Sequence, residues 1–520
     1  DVCKTKFDET EKKLTNDEYK CILHCDKLTT YTNTNVINLF YKKLYLFIGK
    51  KKDDKFTSIV FPSYDYSFLD LCENIRFENC TFYNLFKLNQ NNHLCNDLPL
   101  FENCKFLHSI LFEKINFKIN IFSNCKFTEN STLNIHECVF NKNLFEKNLY
   151  NSSPKSLELN RCEFTNSRFD LHNIKHQIDL IKIKSSTFDK NFEIRGCKNI
   201  KKLDIFNSVF NKYFYVIENK IEKLSLGQCG INDQGIISNN IIIDNDIYGT
   251  LFMGITTFQY TTFKSNLDLN SSHFFSNVSF NNTIIEKAFN LKNVVFSADV
   301  DFLDIASNDR KRNKNDNYIG NAIEVNVENR ETARKIKDSF EKQNNFIEAN
   351  QYYALEMKKR EEELTSKENN NWFEKLIFNI HGITSNHSQD ALLALFWIVN
   401  IGFIASLFDC FTNVDYIDDF LTFDIAYFIG SIVIILAIIG VGDIIKEYKK
   451  TYKLFIMIGF YCIYVFNSQD YGLTDFANVI NPFSIMTKGE TLNLGMLIFK
   501  VIIAYLIYQF IVSVRQNTRR

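Results

Sequence analysis

A six-residue phrase recurs along the N-terminal half of the chain and restricts its possible folds more than any other feature. An apolar residue is followed three positions later by Cys or Ser and five positions later by Phe, as in Phe77–Phe82, Phe101–Phe106 and Leu159–Phe164. The phrase mostly returns after about 21 to 24 residues, a period typical of solenoids in which each coil buries its apolar face against the next. The Cys and Phe positions are therefore predicted to be the core of a repeat domain at 61–306.

The phrase resembles the repeat of the pentapeptide-repeat family, with Cys or Ser and Phe in place of the more usual Ala and Leu. In that family a large residue, and a small residue two positions before it, point into a four-sided coil, and the resemblance implies such a coil here. Short insertions between the phrases leave open a general right-handed parallel β-helix. Asn481-Pro-Phe-Ser484 and Phe510–Arg520 extend the resemblance to bacterial membrane proteins that join pentapeptide repeats to an ion-channel-like C-terminal region.

Apolar segments dominate the chain after Gln389. Four of them are predicted to span a membrane as helices: Ala391–Phe408, Thr422–Val441, Tyr452–Phe466 and Leu494–Val514. A helix needs about 20 apolar residues to cross the hydrocarbon, so the shorter third segment could instead be re-entrant.

Charged residues between these segments predict the orientation. The connection between the first two segments carries Asp and no Lys or Arg, whereas the second connection is rich in Lys and the chain ends on Arg519 and Arg520. By the positive-inside rule, both termini and the repeat domain are expected in the cytoplasm. The resemblance implies the inner membrane of a bacterium.

The sequence thus predicts a multi-domain chain, a right-handed parallel β-helix followed by an α-helical neck and an all-α transmembrane domain. Its parts are an N-terminal helical cap at 1–60, the repeat domain at 61–306, a linker and helical neck at 307–371, an interfacial helix and loop at 372–389, and the transmembrane domain at 390–520.

The interval 467–492 is predicted to be a pore loop, since it is half apolar and lies between two apolar segments. Non-helical backbone is tolerated at membrane depth only where protein or a water-filled cavity covers it; an ordinary external loop is the alternative. Lys500, inside the last segment, would either face a pore or extend its ammonium group to the interface. The candidate pore or gate residues are Asp475, Asn478, Asn481, Ser484, Thr487, Lys488, Lys500 and Tyr505.

Other classes of site find little support. The formal net charge of -1 gives no basis for a nucleic-acid partner. Cys21 and Cys25 lie one helical turn apart beside His24, which favours burial over a zinc site. Motifs of hydrolases, nucleotide-binding loops and metalloproteases do not occur, so no catalytic, cofactor-binding or metal-ligating residue is predicted and the chain is not expected to be an enzyme.

Two functions remain. The first is an ion channel formed by several copies of the chain in a lipid bilayer, with the cytoplasmic solenoid gating it or sensing a signal. The alternative is a membrane-anchored scaffold or effector that binds a cytoplasmic protein on the solenoid without conducting ions, because solenoids offer long binding surfaces.

Overall fold

The structure is a computed structural model. The residues that it describes are 21–24, 34–48, 55–62, 67–72, 74–89, 94, 98–145, 153–306, 325–365, 372–412, 445, 450–484 and 494–518. The chain divides into two compact units, Asp1–Lys335 and Ile336–Arg520.

The N-terminal unit is a parallel β-solenoid, as the repeat predicts. Its described strands pair in parallel, one coil on the next, so that Phe140 pairs with Phe164 and Phe188 with Phe210. Strand ladders form six sheets, the longest of ten strands.

The sheets are numbered here in chain order. Sheet 1 comprises Lys55–Thr57, Arg76–Glu78, Phe101–Glu102 and Phe122–Ser123. Sheet 2 comprises Val60–Phe61, Thr81–Phe82, Lys105–Phe106 and Lys126–Phe127. Sheet 3 comprises Phe86–Asn89, Ile110–Glu113, Thr132–His136, Ser156–Asn160, Ile178–Lys184, Ile200–Phe206, Lys220–Gly227, Ile241–Tyr248, Thr262–Phe263 and Ile284–Ile285.

Three further sheets complete the solenoid. Sheet 4 comprises Asn116–Phe117, Val139–Phe140, Glu163–Phe164, Thr187–Phe188, Val209–Phe210, Gly230–Ile231, Leu251–Phe252, His273–Phe274 and Val295–Phe296. Sheet 5 comprises Phe169–His172, Phe192–Arg195, Phe214–Ile217, Gly235–Ser238, Thr256–Thr257, Val278–Ser279 and Val300–Asp301. Sheet 6 comprises Leu267–Asp268, Ala288–Asn290 and Asn326–Val327.

Columns of stacked phenylalanines fill the interior. Phe140, Phe164 and Phe188 stack with ring centroids 4.5 and 4.6 Å apart, within the range of favourable aromatic pairs. The small residue of each phrase is buried beside them, as with Cys162 and Ser186. The prediction that these Cys and Phe residues form a core is confirmed.

Each coil turns a corner at a residue in the left-handed region, directly before the small buried residue. Asn103, Asn124 and Asn207 have φ values of 54°, 52° and 48° there. Asparagine is one of the few non-glycine residues that adopts this conformation at low cost, because its short amide bonds the local backbone.

Helical elements cover the two ends of the solenoid. At the N-terminal end, helix Thr34–Ile48 buries Phe40 against Phe61, with a 3₁₀ helix at Ser67–Leu71 nearby. At the other end Lys335 donates hydrogen bonds to the carbonyl oxygens of Leu291 and Val294 at 2.8 and 2.7 Å. These contacts cover the backbone groups and apolar side chains at the terminal coils, which could otherwise pair with another strand.

The C-terminal unit is helical. Its described helices are Arg330–Lys342, which begins in the solenoid unit, then Phe346–Thr365, Trp372–Ser385, Ala391–Thr412, Lys450–Ser468, Thr474–Ile480 and Leu494–Thr518. The first two fall within the range 307–371, for which the sequence predicts a linker and helical neck.

One described helix is long and apolar enough to cross a membrane, at Leu497–Gln516, and a shorter apolar helix runs over Ala391–Ser406. The prediction of four spans is therefore not supported by the described residues. Helix Lys450–Ser468 does not meet the same criteria, because lysine and several tyrosines dilute its apolar residues. The predicted span Thr422–Val441 lies outside the described residues.

Contacts between side chains near the helix ends give the relative directions of three of these helices. Lys453 Nζ lies 3.1 Å from a carboxylate oxygen of Asp390, and Tyr464 packs on Phe403 at a centroid distance of 5.2 Å. Helices Ala391–Thr412 and Lys450–Ser468 are therefore parallel. Helix Leu494–Thr518 is antiparallel to them, since Gln509 near its C-terminal end bonds Ser385.

Candidate functional site

The interval predicted to be a pore loop contains a short helix, Thr474–Ile480, between helices Lys450–Ser468 and Leu494–Thr518. The helix ends at Asn481, whose backbone is extended at φ -71° and ψ 110°. Pro482 explains this ending, because proline disfavours helical backbone in the residue before it. The segment is thus folded into the helical unit, and three features of its surroundings hold it there.

Asp470 binds the N-terminal end of the short helix. Its carboxylate accepts hydrogen bonds from the backbone N–H groups of Thr474 and Asp475 at 2.9 and 3.0 Å, and from the Tyr464 hydroxyl at 2.7 Å. Leu473, directly before the helix, has φ 55° and makes no side-chain cap. Asp470 therefore supplies the negative charge and the acceptor that a helix N-terminus requires.

Lys500 binds the opposite end. Its ammonium group donates to the backbone carbonyl oxygens of Asn478, Val479 and Asn481 at 2.9, 2.6 and 2.9 Å. The residue is 3% exposed. A cation at carbonyls that have no partner inside the helix is stabilised by their partial negative charge.

The short helix has one packed side and one exposed polar side. Phe476 stacks on Phe403 with ring centroids 4.4 Å apart. A Cβ atom on Gly402 would lie 2.6 Å from Ile480 and 2.7 Å from Phe476, so only glycine permits this approach. Polar residues at a spacing of three occupy the exposed side: Asp475, Asn478 and Asn481.

The other predicted site residues lie in different surroundings. Ser484 is buried and donates to the carbonyl oxygen of Asn481 at 3.0 Å. Tyr505 is partly buried against the apolar core of the helical unit. The structure therefore brings together Asp475, Asn478, Asn481, Ser484 and Lys500 and places Tyr505 apart from them. Thr487 and Lys488 lie outside the described residues.

A second polar cluster lies toward the C-terminal end of helix Leu494–Thr518, away from Lys500. The amide oxygen of Gln509 accepts hydrogen bonds from the hydroxyls of Ser385 and Ser388 at 3.1 and 3.3 Å. His381 lies 3.2 Å from both the Ser388 hydroxyl and the ring of His387. Burial lowers the pKa of His381, although a hydrogen bond with Gln509 opposes the shift, so the ring is favoured in its neutral form.

The loop that carries this cluster is strained. Asn386, His387 and Ser388 are three consecutive residues with positive φ, at 49°, 54° and 64°. Non-glycine residues seldom occupy this region in succession. Packing holds the loop in place, because the His387 ring lies where a side chain on Gly382 would be, 3.0 Å from its Cβ position.

Reasoning from the sequence missed two charged groups. Asp470 gave no signal because its acceptor role depends on a turn at Leu473 that no local motif indicates. Lys453, at the start of the third predicted span, is 1% exposed and paired with Asp390, a pairing that the sequence did not indicate.

Comparison of the chain with models of protein families, with curated proteins and with solved structures finds no match. The description of the site therefore rests on the chain's own residues.

Proposed function

We propose that this chain is a multi-pass protein of a bacterial inner membrane, in which several copies form an ion channel. The observation that carries the proposal is the placement of helix Thr474–Ile480. It lies between helices Lys450–Ser468 and Leu494–Thr518 along the chain, packs on Gly402 and has both ends bound by charged side chains. An ordinary external loop needs none of these contacts.

Exposed apolar surface supports a membrane setting. Helix Leu494–Thr518 exposes Leu497, Val501, Tyr508 and Ile511 along one side. Trp372 and its neighbours form an exposed apolar side of helix Trp372–Ser385, which is typical of a helix at the membrane interface. Contiguous apolar surface of this extent is rare on soluble monomers and marks contact with lipid or protein.

The course of the helices supports more than one crossing. Helices Ala391–Thr412 and Lys450–Ser468 run in the same direction, so the chain has to return between them. We propose that the predicted span Thr422–Val441 supplies this return. Four spans then place both termini and the solenoid, a pentapeptide-repeat-like right-handed coil, on the cytoplasmic side.

The polar side of the short helix supports a conduction path. Asp475, Asn478 and Asn481 are exposed in a single chain, and assembly around an axis would turn such a row toward a shared water-filled space. Lys500 neutralises the carbonyl groups at the C-terminal end of the helix. That end therefore attracts cations less than an unbound helix terminus would.

Cysteine substitution tests the conduction path. In a Cys462→Ser background, which removes an exposed thiol, Asn478→Cys is reconstituted in planar bilayers and treated with a membrane-impermeant thiol reagent. The proposal expects discrete currents that the reagent reduces. The matched control is Val501→Cys, on the exposed apolar side of the last helix, whose current should not change. Folded oligomers without current would count against a channel.

A row of exposed aliphatic side chains on the solenoid favours the second function, a membrane-anchored scaffold. In sheet 4 the register partners Val209, Gly230, Leu251, His273 and Val295 form one row, and its three aliphatic members have exposed fractions of 37, 46 and 49%. Such a row suits the binding of a cytoplasmic protein. If Leu251→Lys abolishes the cellular function while Asn478→Cys, chemically blocked, leaves it intact, the scaffold is the better description.

A further inference from the structure

The outer face of sheet 5 carries three side chains of the kinds that bind transition metals. In strand Phe169–His172 alternate side chains are buried, which leaves Asp170 and His172 on the outer face. Glu193, on the neighbouring strand Phe192–Arg195, is the register partner of Asp170. The parallel register thus brings residues of two successive coils into one cluster.

The distances are compatible with a shared ion. One carboxylate oxygen from each of Asp170 and Glu193 and one ring nitrogen of His172 all lie within 4.8 Å of one another. Ligand atoms around a tetrahedral zinc ion, each about 2.0–2.2 Å from the metal, lie about 3.5 Å apart. Small side-chain rotations close the difference, since all three side chains are only partly buried.

The ring nitrogen Nε2 of His172 is buried and has no hydrogen-bond partner among the described residues. The Glu193 carboxylate lies 3.5 Å away, an ion-pair distance without hydrogen-bond geometry. Buried polar atoms are nearly always satisfied, so this nitrogen points to a ligand placed between it and the carboxylates.

Two arginines lie near the cluster: Arg168 interacts electrostatically with Asp170, and Arg195 with Glu193. Arg195 is the register partner of His172, and its guanidinium donates to both carboxylate oxygens of Glu218 at 3.3 and 3.2 Å. Glu218 balances the charge of Arg195. Asp170 and Glu193 then carry one more negative charge than Arg168 balances, so the cluster keeps a net attraction for a cation.

We propose that Asp170, His172 and Glu193 bind a Zn²⁺ ion on the outer face of the solenoid. One nitrogen and two oxygen ligands suit zinc, and water completes the coordination. Among the described residues, strand Phe169–His172 is the first strand of its sheet and pairs on one side only. The ion joins this edge strand to the next coil and so stabilises the sheet where its ladder of hydrogen bonds begins.

Metal counting on the full-length protein tests the proposal. Purified protein in detergent is dialysed against buffered Zn²⁺, and bound zinc is counted by mass spectrometry for the wild type, His172→Ala and Glu193→Gln. Both variants should bind one equivalent fewer than the wild type. His273→Ala is the control, since His273 is also half-buried on the solenoid, in sheet 4, and it should retain the wild-type count.

Thermal denaturation supplies a second readout that does not depend on counting. The midpoint of each protein is first measured without zinc, and added Zn²⁺ should raise it more for the wild type and His273→Ala than for the other two, because ligand binding stabilises the folded state. An unchanged count and midpoint shift in both His172→Ala and Glu193→Gln would overturn the proposal. Displacement of the ion by equimolar Ca²⁺ would overturn it as well.

Discussion

Asp470 and Lys500 bind opposite ends of the same seven-residue helix, Thr474–Ile480. The carboxylate faces the N–H groups at its start and the ammonium group faces the carbonyl groups at its end, so both charges complement the helix dipole. Isolated helices this short are unstable in water. The two charges, with the packing of Phe476, explain why this one persists.

Replacing Lys500 should destabilise the helical unit. Lys500→Met keeps the approximate length of the side chain but removes the donor to three backbone carbonyl groups. The free energy of unfolding is expected to fall by about 1.5–3 kcal/mol, the range for hydrogen bonds to a charged group. Denaturation in detergent measures it, with Tyr508→Met, at an exposed position of the same helix, as the control. Equal stability of the two variants would contradict the capping role.

Two glycines offer a matched pair. Gly402→Ala puts a methyl group against Ile480 and Phe476, and such overpacking typically costs about 1–3 kcal/mol. Gly459→Ala, on helix Lys450–Ser468, meets nothing within 4 Å and should stabilise its helix by up to about 1 kcal/mol. Unfolding midpoints in one detergent compare them. The packing of the short helix on Gly402 is wrong if both substitutions shift the midpoint in the same direction.

The contribution of Asp470 should depend on pH. Burial acts to raise the pKa of this carboxyl, but hydrogen bonds from Tyr464, Thr474 and Asp475 outweigh it, and the pKa is lowered in the folded chain. The stabilisation is therefore complete above the usual aspartate pKa of about 3.9 and is lost as the pH falls through the lowered value.

Wild type and Asp470→Ala should accordingly differ by about 1 kcal/mol near neutral pH, the usual cost of a lost N-terminal cap. The difference should shrink on acidification. Thermal denaturation between about pH 7 and pH 1.5 measures it, and Asp470→Asn, which still offers an acceptor but cannot titrate, serves as the control. A difference that stays constant over this range would exclude a titrating cap.

Cys162 occupies the small-residue position of the repeated phrase, and this position predicts its reactivity and the effect of substituting it. Burial raises the pKa of its thiol to about 12, so the native protein should not react there with thiol reagents, while the exposed Cys462 should. Cys162→Ser should fold, since Ser186 fills the same slot in the next coil, whereas Cys162→Leu should cost about 1–3 kcal/mol through overpacking. Mass spectrometry of labelled protein and melting midpoints check both. Rapid labelling of Cys162 would show that the slot is open.

Much of the solenoid could be predicted because the order of residues within each repeated phrase determines which of them are buried. A Phe two positions after a small residue has to share the interior with it, and the phrase repeats once per coil, so the spacing alone identified Cys162 and Phe164 as core. The left-handed corners were missed. They occur at Asn103 but also at Glu137 and Arg161, so no residue type marks them.

The helical unit was less predictable. Helices such as Phe346–Thr365 follow from their own residues, yet the role of Lys500 did not, since its partners are backbone carbonyl groups some twenty positions earlier in the chain. Carbonyl groups carry no sequence signal. Both roles predicted for Lys500, in a pore or at the membrane interface, place its ammonium group in contact with water.

The order of apolar and small residues by itself determined that the N-terminal unit is a stacked β-solenoid, because each coil repeats the same burial requirement. Only the tertiary structure decided which distant groups meet: Asp470 and Lys500 on one short helix, and Asp170, His172 and Glu193 across two coils. The physical reason is that burial follows a period along the chain, whereas a charge takes whichever partner the packed elements bring within hydrogen-bond distance.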